Sequence, residues 1–235
     1  MDKFHRVLIK ISGEALAGAK KTGYDFKLIT SVCEVLKRAS EQGTQIAIVI
    51  GGGNFWRGVK DGAGRIERVS ADRMGMLATA INSIALGDVL SQCGVKAKVL
   101  TAVDIQGVGE RYDAKKAIEY LESGCVVIFG CGTGHPFFST DTAAVLRAAE
   151  VHADAILLAK NIDGVYSDDP RKNPDAVKYD EISYADVLAQ RLAVMDSTAT
   201  SLAMDNDIPV IVFALAEQDS ILRVLQGEKL GTLVK

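Results

Sequence analysis

Cysteine and histidine are few and badly placed for metal work. The four cysteines (Cys33, Cys93, Cys125, Cys131) and three histidines (His5, His135, His152) form no CxxC pair and no zinc-like spacing, so reduced thiols in a cytoplasmic protein are expected and a structural metal site is not. Excess charge is also lacking: a net charge of -3 gives no broad basic footprint for nucleic acid or an anionic membrane. Any anion site must therefore be local. No apolar run approaches the ~20 residues of a membrane helix, and residues 1–6 lead straight into a strand, so neither membrane insertion nor secretion is expected. Of only four prolines, three lie from Pro170 onward, which leaves glycine as the main punctuation of the first two thirds.

What is present is a soluble globular composition, 48% hydrophobic and 24% charged over 235 residues, long enough for one large α/β domain with a subordinate part. Three strand-like runs end in glycine: VLIKISG at 7–13, IAIVIGGGNFWRG at 46–58 and CVVIFGCGTG at 125–134. Residues without a Cβ let another group come close to the backbone, whose N–H donors can then face an anion. Because open parallel sheets bind ligands at the carboxyl ends of their strands, three such turns on one rim imply a polyanion between them.

The remaining pattern alternates strand and helix. Asp25 caps a helix with apolar residues at Leu28, Ile29, Val32, Val35, Leu36 and Ala39, and residues 13–23 read as a glycine- and lysine-rich loop before it. A long helix is expected from about Ser70 to Cys93, with Met74, Leu77, Ile81 and Ile84 on one stripe and Met76, Thr79, Ser83, Leu86 and Leu90 roughly opposite; one face covers a sheet and the other is free to meet another subunit. A strand at 95–101, a helix at 113–122, the strand at 125–129, a helix opened by Thr140-Asp-Thr and a strand at 155–158 follow. Residues 162–174 carry turn chemistry and read as a hairpin-like excursion. Ser183 begins a capping box for a helix to about Ala193, and a helix at 197–206, a strand at 210–214, a helix at 218–226 and a strand at 232–234 close the chain. The expected fold is α/β, a three-layer sandwich with a mainly parallel central sheet and helices on both faces.

Two common phosphate motifs fail. Gly53 and Gly58 have Walker A spacing, but Val59 stands where the lysine belongs, and the GxGxxG pattern breaks at Trp56 and again at His135. Backbone donors remain, with Lys10 inside an apolar strand and Arg57 just past the triple glycine. A lysine flanked by Ile9 and Ile11 needs an anion, either a ligand or a core carboxylate such as Asp141. Taken alone, Asp72, Asp141 and Thr140 read as helix caps, and Phe137 and Phe138 as core.

The motifs KISGE at 10–14, VIGGGN with Arg57-Gly58, DRMGMLAT at 72–79, TGHPFFSTD at 133–141 and DGVYSDDP at 163–170, down to Val194-Met-Asp and GEKLGT at 227–232, together resemble the bacterial uridylate kinase branch of the amino acid kinase superfamily. The resemblance spans essentially the whole chain. It implies transfer of a phosphoryl group from ATP to UMP, giving ADP and UDP, in cytoplasmic pyrimidine synthesis. It further implies that Lys10 meets the transferred group, with Asp141 orienting it and Asp196 in a supporting catalytic position. By the same resemblance, Lys10, Ile11, Ser12, Gly13, Gly53, Arg57, Asn161, Tyr166 and Asp169 face ATP, while Gly52, Asp72, Thr133, Gly134, His135, Pro136, Phe137, Phe138, Ser139 and Thr140 face UMP. Mg²⁺ enters through the nucleotide phosphates, with no direct protein ligand. About residues 1–155 form the acceptor part and about 156–235 the ATP part of one domain. A homohexamer, activation by GTP and inhibition by UTP are further expectations, with the loop Thr22-Gly-Tyr-Asp contributing to the effector response. His135 departs from the asparagine frequent in the family, and Gly87 and Ser91 replace basic residues that some members use for GTP, although Lys98 keeps its charge. A carboxylate or carbamate kinase of the superfamily and a catalytically silent uridine-nucleotide sensor remain as alternatives.

Overall fold

The computed structural model describes residues 4–57, 62, 64–217 and 219–235. Gly58 and Val59 of the sequence motifs therefore lie outside the described residues, as does the first residue of the helix expected at 218–226. Its frame is a nine-stranded sheet. In chain order the strands are β1 (Arg6–Ile11), β2 (Gln45–Ile50), β3 (Ala97–Thr101), β4 (Glu110–Arg111), β5 (Val126–Gly130), β6 (Ala155–Lys160), then β7 (Val165–Tyr166), β8 (Lys178–Tyr179), β9 (Glu181–Ile182), β10 (Val210–Ala214) and β11 (Thr232–Val234). The order across the sheet is β4-β3-β5-β2-β1-β6-β10-β11-β9, and β7 with β8 forms a separate antiparallel ribbon. Every pairing in the large sheet is parallel except β10 with β11.

The helices are α1 (Gly13–Ala17), α2 (Phe26–Glu41), α3 (Arg68–Gln92), α4 (Ala114–Glu122), α5 (Thr140–Glu150), α6 (Tyr184–Ala189), α7 (Ser197–Asp205) and α8 (Ser220–Leu225). They divide between the two faces according to the two-residue period of the strands. Val7, Ile9 and Ile11 of β1 pack with Ile46, Ile48 and Ile50 of β2 beneath α2, α3 and α8. Leu8, Ala47, Val49 and Leu158 point the other way, beneath α4, α5, α6 and α7. This is the expected three-layer α/β arrangement. The central strand β1 is buried at all six residues, and each fully buried Val, Leu or Ile contributes roughly 1.5–3 kcal/mol.

Several local expectations change. Residues 13–17 form a helical turn because the Ser12 side chain accepts from the Ala15 N–H at 3.2 Å, a cap that outweighs the poor helix propensity of Gly13. Helix α3 starts earlier than expected, at Arg68, with Glu67 as its cap. At 25 residues it is also long and apolar enough to cross a bilayer, which amends the expectation of no such segment; its Thr79, Asn82 and Ser83 are nevertheless buried against the protein. The helix after Ser183 stops at Ala189, two residues before Arg191 takes a positive φ of 54°. The two-residue strands β4 and β9 were not anticipated, since so short a strand is defined by its partner and not by its own pattern. All four cysteines are free, with burial pushing the Cys33 thiol up to about 12.

The turn into β11 generates a test. Gly231 has φ +80°, and a Cβ there would stand 1.9 Å from the Val212 carbonyl oxygen. Gly231→Ala must therefore move one strand off the other and is expected to cost about 2–4 kcal/mol in urea unfolding, because both φ and space are violated. An unchanged unfolding midpoint would contradict this packing.

Candidate active site

The carboxyl ends of β1, β2 and β5 are neighbours on one rim, and the chain leaves β1 toward β2 on one side but enters β6 on the other. Such a reversal opens a crevice in a parallel sheet. At that point the backbones nearly touch: a Cβ on Gly13 would lie 2.5 Å from the Gly51 carbonyl and 2.7 Å from the Gly53 nitrogen. Gly52 presses on α3, where an added Cβ would stand 2.8 Å from the Ala78 Cβ. Close approach therefore accounts for glycine at both positions.

A buried amide pair holds this turn. Asn82, fully buried on α3, donates to the Gly51 carbonyl at 2.6 Å and to Asn54 Oδ1 at 2.7 Å; Asn54 donates back to Asn82 Oδ1 at 3.1 Å and to the Gly23 carbonyl at 3.0 Å. One helix residue thus fixes the glycine turn and, through Asn54, the loop before α2. Arg57 ion-pairs with Glu14 of α1 and reaches the Gly53 carbonyl at 3.5 Å.

Lys10 lies on the Leu8 face of β1, between Val49 and Leu158 of the flanking strands. It is 9% exposed, and its ammonium stands 2.6 Å from Asp141 Oδ1. The two side chains form a largely buried, charge-assisted pair. Asp141 occupies the first turn of α5 and does not cap it. The cap is Ser139, whose side chain accepts from the Asp141 and Thr142 N–H groups, so Thr140 is inside the helix and not its cap. Asp196 caps α7 by accepting from the Ala199 N–H at 2.9 Å; it also accepts from Thr142 Oγ1 at 3.2 Å and pairs with the Ser139 hydroxyl. The partners of Asp196 clamp α5 to α7.

Two clefts lie near this pair, one lined by Thr140, which precedes Asp141, and the other by Lys160. Gly52, Asp72, Thr133, His135, Phe138, Ser139 and Thr140 line the first, with Trp56, Gly75, Met76, Thr79, Cys131 and Gly132; Gly134, Pro136 and Phe137 belong to the same turn without lining it. Asp72 does not cap α3. Its Oδ2 accepts from Arg68 at 2.7 Å and from the Phe137 N–H at 2.8 Å, fixing the 131–139 turn to the helix. Cys131 and Phe137 both adopt positive φ, 65° and 71°, backbone strain that the surrounding contacts must hold. Phe137 and Phe138 are 64% and 51% exposed, which corrects their reading as core. Cys131 N–H donates to Thr79 Oγ1 at 2.8 Å, and Arg147, stacked 3.7 Å over the Tyr112 ring, reaches the Gly132 carbonyl at 3.5 Å.

The second cleft is lined by Lys160, Tyr166, Asp169, Val194 and their neighbours. Tyr166 donates to Asp163 at 2.9 Å. The Arg171 N–H, and then its guanidinium, hold the Asp169 carboxyl below its ordinary value, so Asp169 is an ionised acceptor at neutral pH. Asn161 is exposed beside this cleft and does not line it, while Ile11 faces the core under α2 and α3 and can offer a ligand only its backbone. Lys160 is the residue that sequence reasoning missed. Burial lowers its pKa, Lys10 adds to that effect and Asp141 opposes it. No group of three or more His, Cys, Asp or Glu side chains is gathered to hold a metal among the described residues.

The amide pair generates a test away from the charges. Asn82→Ala strands the Gly51 carbonyl and half of Asn54, and an unsatisfied buried polar group costs about 1–3 kcal/mol. A fall of that size in urea unfolding is expected; full stability would mean that the turn is held by something else.

A family model described as the amino acid kinase family matches residues 5–214. The structure is similar to that of a UMP kinase from Bacillus anthracis, with TM-score 0.95 and 39% identity over 99% of this chain and 96% of that one. A UMP kinase from Ureaplasma parvum gives 0.93 and 38%, with each chain covered completely. A uridylate kinase from Archaeoglobus fulgidus is more distant, at 0.76 and 26% over 97% of this chain and 99% of that one. With a family model matching most of its length, the chain belongs to the amino acid kinase family.

Proposed function

We propose that this chain is a UMP kinase, transferring the terminal phosphoryl group of ATP to the phosphate of UMP in the cytoplasmic supply of pyrimidine nucleotides. The observation that carries the reading is the largely buried Lys10–Asp141 pair, with a residue of each cleft beside it. Thr140 of the first cleft precedes Asp141 directly, and Lys160 of the second feels the charges of both Lys10 and Asp141. Residues up to about 155 would then hold the acceptor and those from about 156 the donor.

A UMP phosphate oxygen attacks the γ-phosphorus of ATP, the bond from that phosphorus to the β–γ bridging oxygen breaks, and UDP and ADP result. No covalent enzyme intermediate is needed, because the reaction demands positioning and charge stabilisation. Like charges ~4 Å apart repel by about 4 kcal/mol at an effective dielectric of 20, and Lys10 offsets that repulsion at the transferring group. Asp141 holds the ammonium in place. Backbone N–H groups of residues 12–13 and 52–53 take phosphate oxygens, with Arg57 beside them, while the Gly51 N–H is given to the Ile11 carbonyl at 2.9 Å. Asp141 and Asp196 are engaged by Lys10 and by the α5–α7 clamp, so Mg²⁺ would enter with ATP and would supply further charge neutralisation there. Asp72 Oδ1 accepts from a ribose hydroxyl of UMP, Thr133 to Thr140 enclose the uracil with His135 donating or accepting, and Tyr166 and Asp169 meet the adenosine.

The exposed stripe of α3, with Leu77 at 52%, Ile81 at 47% and Ile84 at 45% exposure, is the face proposed for self-association into a homohexamer. UTP would inhibit by sharing the uracil contacts. Activation by GTP would have to proceed without a cation at position 87, where an added Cβ would lie 3.2 Å from Val99 Cγ2, and with Lys98 already set against Glu110 and the Tyr120 ring.

An ADP-release assay over UMP, carbamate, aspartate, glutamate and acetylglutamate tests the reading: only UMP is expected to support turnover, and phosphorylation of a carboxylate or carbamate would overturn it. Lys10→Ala is expected to abolish turnover while UMP affinity stays within about one order of magnitude, since its contact is made mainly in the transition state; an undiminished kcat refutes that role. Leu77→Arg with Ile81→Arg is expected to lower the mass measured by light scattering, and an unchanged mass would place the subunit contact elsewhere.

A further inference from the structure

We infer that Lys160, at the carboxyl end of β6, is a second phosphate-binding cation, whose ammonium exchanges the Val194 carbonyl for an oxygen of the donor polyphosphate beside Lys10. The inference rests on the kinase reading above and adds a ligand that the sequence motifs do not contain.

The placement follows from the register. Lys10 of β1 sits opposite Leu158 of β6, and Lys160 is two residues farther along, so its side chain points to the same face of the sheet at the rim. It also lines the cleft that contains Tyr166 and Asp169. Its hydrogen bond goes to the Val194 carbonyl, whereas Asp141, the nearest carboxylate in charge terms, is paired with Lys10. An ammonium has three donors, and one carbonyl is a thin substitute for water around a partly buried cation. Two lysines and one aspartate leave one positive charge over at the junction of the clefts. The burial that disfavours the charged form of Lys160 is relieved when an anion arrives.

A purely structural role is the competing account, in which Lys160 only anchors the loop at 192–194 and so shapes the adenosine pocket. The two accounts separate on a ligand with phosphates and one without. Calorimetric binding of ADP and of adenosine is measured for the wild type, Lys160→Met and Lys160→Arg. Loss of one charge-assisted contact predicts that Lys160→Met weakens ADP by about tenfold or more, leaves adenosine unchanged, and is partly rescued in Lys160→Arg. Equal weakening of both ligands, or of neither, would overturn the inference. Should Lys160→Met not fold, acylation of the wild-type lysines read by mass spectrometry decides the point. ADP is expected to shield Lys160 and adenosine is not; equal labelling with and without ADP would overturn the proposal. Wild type that binds ADP while Lys160→Met binds it equally defeats this inference alone, whereas wild type that neither binds ADP nor turns over UMP defeats the kinase reading and this inference with it.

Discussion

A positive charge placed inside a β-sheet constrains everything around it. Lys10 occupies a strand buried at every residue, where an unpaired ammonium costs several kcal/mol even after relaxation. The first turn of α5 supplies the answering carboxylate, so α5 must present Asp141 over the carboxyl end of β1. That requirement explains why the start of α5 is tied down twice, by its Ser139 cap and by Asp196, the cap of α7. Removing the aspartate would leave the cation uncompensated, whereas an arriving phosphate adds a second anion to a charge already held in position.

The glycine turns solve a geometric problem around the same point. The turns that follow β1 and β2 come into van der Waals contact, an added Cβ on Gly13 standing 2.5 Å from the Gly51 carbonyl. Side chains at Gly13 or Gly52 would wedge the strands or α3 apart. Once close, the turn still needs polar partners, and the reciprocal pair Asn54–Asn82 provides them from inside α3. The same helix exposes an apolar stripe on its other side, the face proposed for self-association.

Much of this was legible in the residues. Alternating strands and helices gave the layers because β-branched runs and three- and four-residue periodicities are long in this chain, and Asp25 and Ser183 cap where side-chain chemistry predicts. Lys10 between two isoleucines marked a buried charge, and Asp141 is its partner. Other features depend on distant partners and leave no local trace. Asp72 and Thr140 look like caps until Glu67 and Ser139 are seen to do that work. Asn82 reads as one more polar residue on a covering helix. Phe137 and Phe138 read as core because size and apolarity argue for burial, yet the 131–139 turn, held by Asp72, Thr79 and Arg147, displays them to solvent. Lys160 carries no sequence signal beyond its position at a strand end; only the register with Lys10 gives it meaning.

The central claim is that two nucleotides meet end to end across the Lys10–Asp141 pair. Its most direct test is inhibition by a bisubstrate compound, adenosine and uridine joined 5′ to 5′ through a polyphosphate chain, with initial rates measured while ATP and UMP are varied in turn. The account predicts competition against both substrates, with affinity well above that of either nucleotide alone. Competition against ATP only, or against UMP only, would contradict it, because the two clefts would then not open onto one reaction centre.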